Sequence, residues 1–342
     1  MGDAPKVREC LSERIARARI EGAIDGLALA LIKDGEIIQG FSGHSDQKKL
    51  LLVTAQTVFP AASLSKPVFA YAVLKLVDQG VLSLDMPLAG FVDYAPGDEF
   101  AAEITAAHVL SHTTGFPNWR SSEQPLKSYF RPGDRFSYSG EGFVFLQRVV
   151  ERLTGESLEA TAQRLVFEPL GMTRSTFDPA RKFDDTVAPS EAAADATVSV
   201  RATANAARSL RTTAHDYAQF LKAVLSGTGL KSSTSESWME ARKLVPANFV
   251  NAAEPRGMHQ TDSAVAWGLG WGVEIESRFF FQWGANNGYV SFTIGSRVDG
   301  VAFVILTTGF TGLECIRQLV EVVLPGPRPS LMWLGRRTAQ QQ

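Results

Sequence analysis

Strand-like segments lie near both ends of this 342-residue chain, and a mostly helical stretch separates them. Near the start, apolar runs over residues 26–33 and 36–41 flank Asp34-Gly35, a dipeptide typical of hairpin turns. Four more strand-like runs follow in the last third, over residues 271–276, 278–283, 289–296 and 301–307. We expect the strands from both ends to share one antiparallel sheet. This predicts an α/β (α+β) fold in which helices flank the sheet. Residues 1–90 and 215–342 would form this α/β domain, residues 91–214 a mostly helical inserted domain, and the site would lie in the cleft between them.

Helices are predicted where apolar residues recur with helical spacing, over residues 5–21, 68–80, 106–111, 142–153, 158–166, 217–225 and 312–324. Residues 182–208 and 246–263 are predicted loops, because they are polar and lack periodicity. Residues 325–342 are predicted to be a C-terminal tail.

The composition excludes several classes of function. Lys and Arg number 34 against 36 Asp and Glu, so the chain offers no basic field for a nucleic acid. The two cysteines make no disulfide framework and the five histidines have no metal-ligand spacing, so we expect no metal and no other cofactor. There is no apolar signal-peptide core and no run of 18 apolar residues. The expectation is a cytoplasmic protein with no membrane partner, or a periplasmic or secreted one if a leader was removed; its oligomeric state stays open.

A Ser-x-x-Lys motif lies at the start of the predicted helix 68–80. Ser63 and Lys66 follow small residues, and their spacing puts both side chains on one helical face. A serine hydroxyl becomes a nucleophile when a base takes its proton, and a partly desolvated lysine with a lowered pKa suits that role. The alternative is a helix-capping serine followed by a surface lysine, and the motif alone does not decide between them.

Two other segments offer the remaining groups of such a site. Tyr138 lies in a turn-rich segment, residues 131–142, and near a lysine its phenol could act as an acid or a base. The aromatic run 279–283 ends in Gly284-Ala285, where a backbone N–H could point at an oxyanion. The alternatives are a packed tyrosine whose hydroxyl caps a loop, and a plain hairpin that turns at Asn287-Gly288.

Together, and in this order, Ser63/Lys66, Tyr138 and the strand 282–285 resemble the motifs of the serine β-lactamase and penicillin-binding-protein-like superfamily. The resemblance is to its class C-like branch, which includes class C β-lactamases, D-alanyl-D-alanine carboxypeptidases and family VIII esterases. It extends from about residue 23 to residue 324 and includes residues 110–115, 168–172 and 267–271. It implies a β-lactamase-like fold and an acyl-enzyme formed on Ser63. It also implies that Lys66 and Tyr138 share the proton transfer and that the N–H groups of Ser63 and Ala285 form the oxyanion hole.

The sequence departs from two motifs of this superfamily. Tyr-x-Asn is here Tyr138-Ser139-Gly140, without the carboxamide that can bind an amide side chain of a substrate. Lys-Thr-Gly (or His-x-Gly) is here Gln282-Trp283-Gly284, and a neutral amide binds a carboxylate more weakly than a cation does. Both departures favour a carboxylesterase of neutral, small-acyl esters with slow β-lactam turnover. The residues expected to contact the substrate are Gln282, Trp283, Gly284, Gly140, Trp119 and Arg120.

Two other functions stay open. One is a class C-like β-lactamase or a D-amino-acid peptidase or carboxypeptidase, in which another cation such as Arg120 holds the substrate carboxylate. The other is a catalytically silent scaffold relative, although a silent relative has no reason to retain Ser63, Lys66 and Tyr138 together. In the enzymatic readings the partner is a small-molecule ester or β-lactam-like substrate. His112 is expected to hold a loop rather than to act as a triad base.

Overall fold

Both ends of the chain contribute strands to one sheet in the computed structural model, which describes residues 4–121, 124–188, 203–247, 260–286, 288–309 and 311–340. In chain order the strands are β1 (Gly26–Lys33), β2 (Glu36–Asp46), β3 (Leu51–Leu52), β4 (Phe59–Pro60), β5 (Arg211–Thr212), β6 (Lys243–Pro246), β7 (Thr261–Trp267), β8 (Gly272–Glu274), β9 (Phe279–Asn286), β10 (Tyr289–Ser296) and β11 (Val301–Thr308). Across the antiparallel sheet the order is β3-β2-β1-β11-β10-β9-β8-β7-β6, and β4 pairs with β5 separately.

The predicted union of the two chain ends is confirmed at the centre of the sheet. Strand β1 pairs with β2 on one side and with β11 on the other, so that Leu27 lies opposite Thr307. Asp34 and Gly35 both have positive φ angles, 53° and 78°, as a two-residue hairpin turn of this kind requires. The predicted turn of the β9–β10 hairpin includes Asn287, which lies outside the described residues.

Strand β1 is an almost continuous apolar run because helices cover both faces of the sheet. Its side chains alternate between two apolar clusters, with Ala28 in one cluster and Leu27 and Leu29 in the other. Seven of its eight residues are buried. A strand that is buried on both faces needs apolar residues at successive positions rather than at every second one.

The helices are α1 (Ala4–Glu21), α2 (Ser65–Asp78), α3 (Ala106–Leu110), α4 (Gly140–Thr154), α5 (Leu158–Ala162), α6 (Ala214–Ser226), α7 (Ser232–Trp238), α8 (Gly312–Val323) and α9 (Pro329–Gln340). Helices α1, α8 and α9 supply side chains to the apolar cluster on one face of the sheet, and α2, α4 and α6 supply the cluster on the other. Each longer predicted helix is present. Gly155 and Gly227 end α4 and α6 in the left-handed conformation.

Two predictions of irregular structure were wrong. The C-terminal tail contains helix α9, where Trp333 is buried and donates its indole N–H to the carbonyl of Pro246. The predicted loop 246–263 begins at the end of β6 and includes the start of β7, while residues 248–259 lie outside the described residues. These segments are stabilised by contacts with distant parts of the chain, which local periodicity does not report.

The stretch between residues 91 and 210 is largely helices and turns where it is described, and the proposed domain boundaries stay a prediction. It includes α3, α4 and α5. It contacts helix α2, where the Lys75 side chain donates a hydrogen bond to the carbonyl of Leu165. Within the described ranges, none of the helices has the length and apolar character needed to cross a bilayer.

Candidate active site

Ser63 and Lys66 meet where a short turn leads into helix α2. Ser63 lies in a single 3₁₀ turn, Ala62–Leu64, and α2 begins two residues later. The Nζ atom of Lys66 lies 3.0 Å from the Oγ atom of Ser63 and 2.9 Å from the carbonyl oxygen of Ala207. Only 1% of Lys66 is exposed, so its side-chain nitrogen has protein partners rather than bulk water around it. Lys66 is therefore in position to exchange a proton with Ser63.

Tyr138 lies beside this pair at the entrance to helix α4. Its ring packs between His112 and Trp283, with ring centroids 4.2 Å and 4.8 Å away. The Nζ atom of Lys66 lies 4.7 Å from the centre of the Tyr138 ring. Ser139 then caps α4 by accepting a hydrogen bond from the N–H of Gly142. The helix cap and the aromatic packing fix the phenol next to the lysine.

Gln282 connects Tyr138 to the nucleophile turn. Its side chain is fully buried, and Nε2 lies 2.9 Å from Oη of Tyr138 and 3.1 Å from the carbonyl oxygen of Ser63. Its Oε1 atom has no hydrogen-bond partner among the described residues. Gln282 thus holds the Tyr138 hydroxyl and the backbone of the Ser63 turn, and its buried amide is not part of an open cleft surface.

Strand β9 lies against the Ser63 turn at Gly284. A Cβ atom on Gly284 would come within 2.9 Å of the Ser63 nitrogen and 2.6 Å of the Ala61 carbonyl oxygen. The hydroxyl of Ser291 on β10 donates to the same Ala61 carbonyl at 2.8 Å. Ala285, the next residue, is exposed. The strand therefore brings the backbone at Gly284 and Ala285 next to the Ser63 N–H, which is the arrangement that an oxyanion hole needs; their role as donors stays a prediction.

Trp119 occupies the space beside Gly140. Three atoms of its six-membered ring would lie 2.5–2.8 Å from a Cβ atom on Gly140. The N–H of Gly140 lies 2.9 Å from the carbonyl oxygen of Asn118 and 3.0 Å from its Oδ1 atom, which fixes the loop that carries the indole. Trp119 is 39% exposed and also lines a cavity of about 310 Å³ with residues of the loop 117–129. An asparagine at position 140 would collide with this ring.

The two arginines near Trp119 differ in their partners. Arg120 donates from Nε and Nη2 to the buried carboxylate of Glu141, at 2.9 Å and 2.7 Å, and lies over the ring of Tyr94. Arg208 is exposed, and its guanidinium lies 5.0 Å from the centre of the Trp119 ring. Within the described part of the chain, no hydrogen bond or ion pair engages the Arg208 side chain. Arg208 was not predicted for the site, because it lies in a predicted loop and no local pattern connects it to Trp119.

His112 supports the segment that carries Tyr138. Its Nδ1 atom accepts a hydrogen bond from the Ser139 N–H at 3.0 Å, and its carbonyl accepts from Ser137. Complete burial, with a smaller contribution from the charge of Lys66, holds the pKa of His112 well below its usual 6.5. The imidazole is neutral, and it lies against the Tyr138 ring, as the expected loop-holding role requires.

No cluster of three or more His, Cys, Asp or Glu side chains suited to a metal ion occurs in the described residues. The arrangement instead brings together a hydroxyl, an amine and a phenol, which are groups that transfer protons and form acyl bonds.

Comparisons with known proteins give the family of the chain. The family model described as Beta-lactamase matches residues 8–320. Over 180 residues the chain is 31% identical to penicillin-binding protein 4 of Amycolatopsis lactamdurans, covering 48% of this chain and 47% of that protein. Over 204 residues it is 29% identical to esterase EstB of Burkholderia gladioli, covering 50% and 51%. The matched part thus spans about half the length of these curated relatives.

Solved structures share the fold over nearly the whole chain. A structure of the octameric penicillin-binding protein homologue from Pyrococcus abyssi has a TM-score of 0.74 at 21% identity and covers 92% of this chain and 77% of that chain. D-amino acid amidase from Ochrobactrum anthropi SV3, complexed with L-phenylalanine amide, has a TM-score of 0.74 at 20% identity, covering 93% and 98%. The predicted β-lactamase-like α/β fold is confirmed.

Proposed function

The chain belongs to the beta-lactamase family, and we propose that it is a serine hydrolase that cleaves small-acyl carboxylic esters through an acyl-enzyme on Ser63. Its curated relatives include an esterase and a protein of Escherichia coli O157:H7 named "Putative D-alanyl-D-alanine carboxypeptidase". Hydrolysis is the chemistry that these two names have in common. We choose esters as the substrate class because of one observation. The neutral amide of Gln282 binds Tyr138 and Ser63 at the position where the superfamily's motif has a cation.

In the first half of the reaction, the Ser63 oxygen bonds to the ester carbonyl carbon while its proton passes to the neutral Lys66 amine, from which Tyr138 relays it. The Lys66 amine is 3.0 Å from that oxygen, which is the distance such a transfer needs. The negative charge that forms on the carbonyl oxygen is received by the N–H groups of Ser63 and Ala285. The C–O bond to the alcohol then breaks, and the leaving alkoxide takes up the proton.

In the second half, a water molecule attacks the carbonyl carbon of the acyl-enzyme. The water gives one proton to the same pair of groups, the bond to Ser63 breaks, and the serine oxygen regains a proton as the carboxylic acid leaves. Tyr138 suits this exchange because its oxygen accepts a hydrogen bond from Gln282 and the centre of its ring lies 4.7 Å from the Lys66 Nζ atom.

Two features support esters over β-lactams and peptides. Gln282 contributes no positive charge, so a substrate carboxylate next to Tyr138 lacks a charge-assisted bond. Residue 140 is a glycine with Trp119 filling the space beside it, so this position offers no carboxamide to an acylamino side chain. The rival reading assigned the carboxylate to Arg120, but the Arg120 guanidinium already donates two hydrogen bonds to one carboxylate oxygen of Glu141.

The test compares hydrolysis of p-nitrophenyl acetate and butyrate with that of nitrocefin, for the wild type and for Ser63→Ala. We expect ester turnover that disappears in the variant, and slow nitrocefin turnover. Fast nitrocefin opening would favour the β-lactamase alternative. If neither substrate shows turnover that depends on Ser63, and a fluorophosphonate fails to label Ser63, the scaffold alternative replaces the proposal.

A further inference from the structure

Arg208 projects from the loop that also holds the candidate catalytic lysine. The preceding residue, Ala207, accepts the hydrogen bond from Lys66, and Lys66 in turn contacts Ser63. The Arg208 carbonyl lies 3.5 Å from Nδ2 of Asn286, at the end of strand β9. The backbone at Arg208 therefore contacts two elements of the site. These are helix α2, which carries Lys66, and strand β9, which carries Ala285.

The guanidinium of Arg208 is held in place without using its hydrogen-bond donors. It lies over the Trp119 ring, with 5.0 Å between Cζ and the ring centre, and Gly140 gives that ring the space it occupies. A cation–π contact of this kind uses the charge of the guanidinium and none of its N–H donors. None of the described residues accepts a hydrogen bond from them. The fork is therefore pre-organised for a planar anion, and a carboxylate matches it with two parallel hydrogen bonds.

The direction of strand β9 indicates which part of an ester would reach this fork. The strand runs from Gln282, which contacts Tyr138, to Asn286, which contacts the Arg208 backbone, and Gly284 next to Ser63 lies between them. The leaving alcohol must face Tyr138 to receive its proton, at the Gln282 end. The acyl chain therefore extends towards the Asn286 end, where Arg208 lies.

We propose that Arg208, stacked on Trp119, binds a carboxylate at the far end of the acyl chain, so that the preferred substrates are half-esters of short dicarboxylic acids. This inference rests on the proposed function, and it replaces the expected neutral substrate with a charged one. Position 282 has no cation, and Arg208, whose backbone contacts the other end of strand β9, supplies one instead. It differs from the β-lactam and peptide reading, because the charge sits on the acyl side and not on the leaving group.

The experiment measures kcat/KM for 4-nitrophenyl hydrogen glutarate and for its methyl diester, which has the same acyl chain with the charge masked. We expect the wild type to prefer the charged ester by about tenfold or more, and the preference to shrink as salt is added, because the pair is partly exposed. Arg208→Gln should abolish the preference and leave the methyl diester within about twofold of the wild type. Arg208→Lys should keep part of it, since the charge remains and the fork is lost.

Arg242→Gln is the matched control, because Arg242 is also exposed and its replacement removes the same charge beside the edge strand β6. It should leave the preference unchanged. Equal turnover of the two esters by the wild type, still dependent on Ser63, would overturn the role of Arg208 and leave the esterase proposal intact. If no ester is hydrolysed, calorimetry measures the binding of monomethyl glutarate to Ser63→Ala and to the double variant that also carries Arg208→Gln. Weaker binding to the double variant supports the carboxylate site. Equal binding to both proteins, or no binding to either, overturns it.

Discussion

The amide nitrogen of Gln282 lies 2.9 Å from the phenol oxygen of Tyr138. Because an amide N–H can only donate, the phenol oxygen is the acceptor, and the single proton of Tyr138 is directed elsewhere. The same nitrogen lies 3.1 Å from the carbonyl oxygen of Ser63. One neutral side chain thus sets the orientation of the phenol and of the turn that carries the nucleophile.

Replacing Gln282 should therefore reduce turnover more than substrate binding. In Gln282→Leu, the Tyr138 oxygen and the Ser63 carbonyl each lose a buried donor, and such a loss costs about 1–3 kcal/mol of unfolding free energy. We expect kcat for p-nitrophenyl butyrate to fall at least tenfold with KM changed less than threefold, and the denaturant midpoint to decrease. Gln282→His keeps a nitrogen donor and should retain most of the activity. Equal losses in both variants would mean that the site needs the amide for some other reason.

Gly284 should be intolerant of the smallest side chain. In Gly284→Ala the new methyl group would meet the Ser63 nitrogen and the Ala61 carbonyl, so either β9 or the nucleophile turn must shift. Such overpacking costs about 1–3 kcal/mol, and a shift of the oxyanion donors should lower kcat by about 100-fold. Steady-state kinetics and urea unfolding measure the two effects. Gly90→Ala is the control, since a Cβ at Gly90 would meet no atom within 4 Å.

Restoring the missing asparagine should fail unless Trp119 is also changed. Gly140→Asn places a side chain in the space of the Trp119 ring, so we expect a loss of stability of about 1–3 kcal/mol and lower ester turnover. Combining it with Trp119→Ala removes the obstacle, and the double variant should be more stable than the sum of the two single changes predicts. Additive unfolding free energies would show that the ring and residue 140 do not interact in solution.

How far the sequence predicts this site depends on whether a contact is local. Ser63 and Lys66 are three residues apart on one helix, so spacing alone places them together. For Tyr138 and strand β9 the local sequence left alternatives open, and the superfamily's motif order decided between them. The partners of Gln282, the Glu141 pair of Arg120 and the stacking of Arg208 on Trp119 each join positions 20 or more residues apart. Side-chain partners of that kind are selected by the folded backbone, which periodicity and residue type do not describe.

The same distinction holds for the fold. The Asp34-Gly35 hairpin and the caps at Ser157, Gly155 and Gly227 follow from local backbone preferences and were predictable. Helix α9 was not, because its identity depends on the burial of Trp333 against the β6 and β7 region. Long-range burial of a single aromatic side chain overrides the loop-like composition of residues 325–342.

His112 should make the stability of the protein depend on pH below neutrality. Its pKa is well below 6.5 in the folded protein, so under mildly acidic conditions the unfolded chain binds a proton that the folded chain does not. Stability then falls as the pH falls below about 6.5, by about 1.4 kcal/mol for each pH unit, until the folded pKa is reached.

His112→Asn keeps an acceptor for the Ser139 N–H but does not titrate. Urea unfolding at pH 7.5 and 5.5 should therefore show a larger loss of unfolding free energy in the wild type than in the variant. His108, whose pKa is also lowered by burial, is present in both proteins and cancels in the comparison. The same drop in both proteins would mean that His112 takes up a proton in the folded protein as readily as in the unfolded chain, so that burial does not lower its pKa.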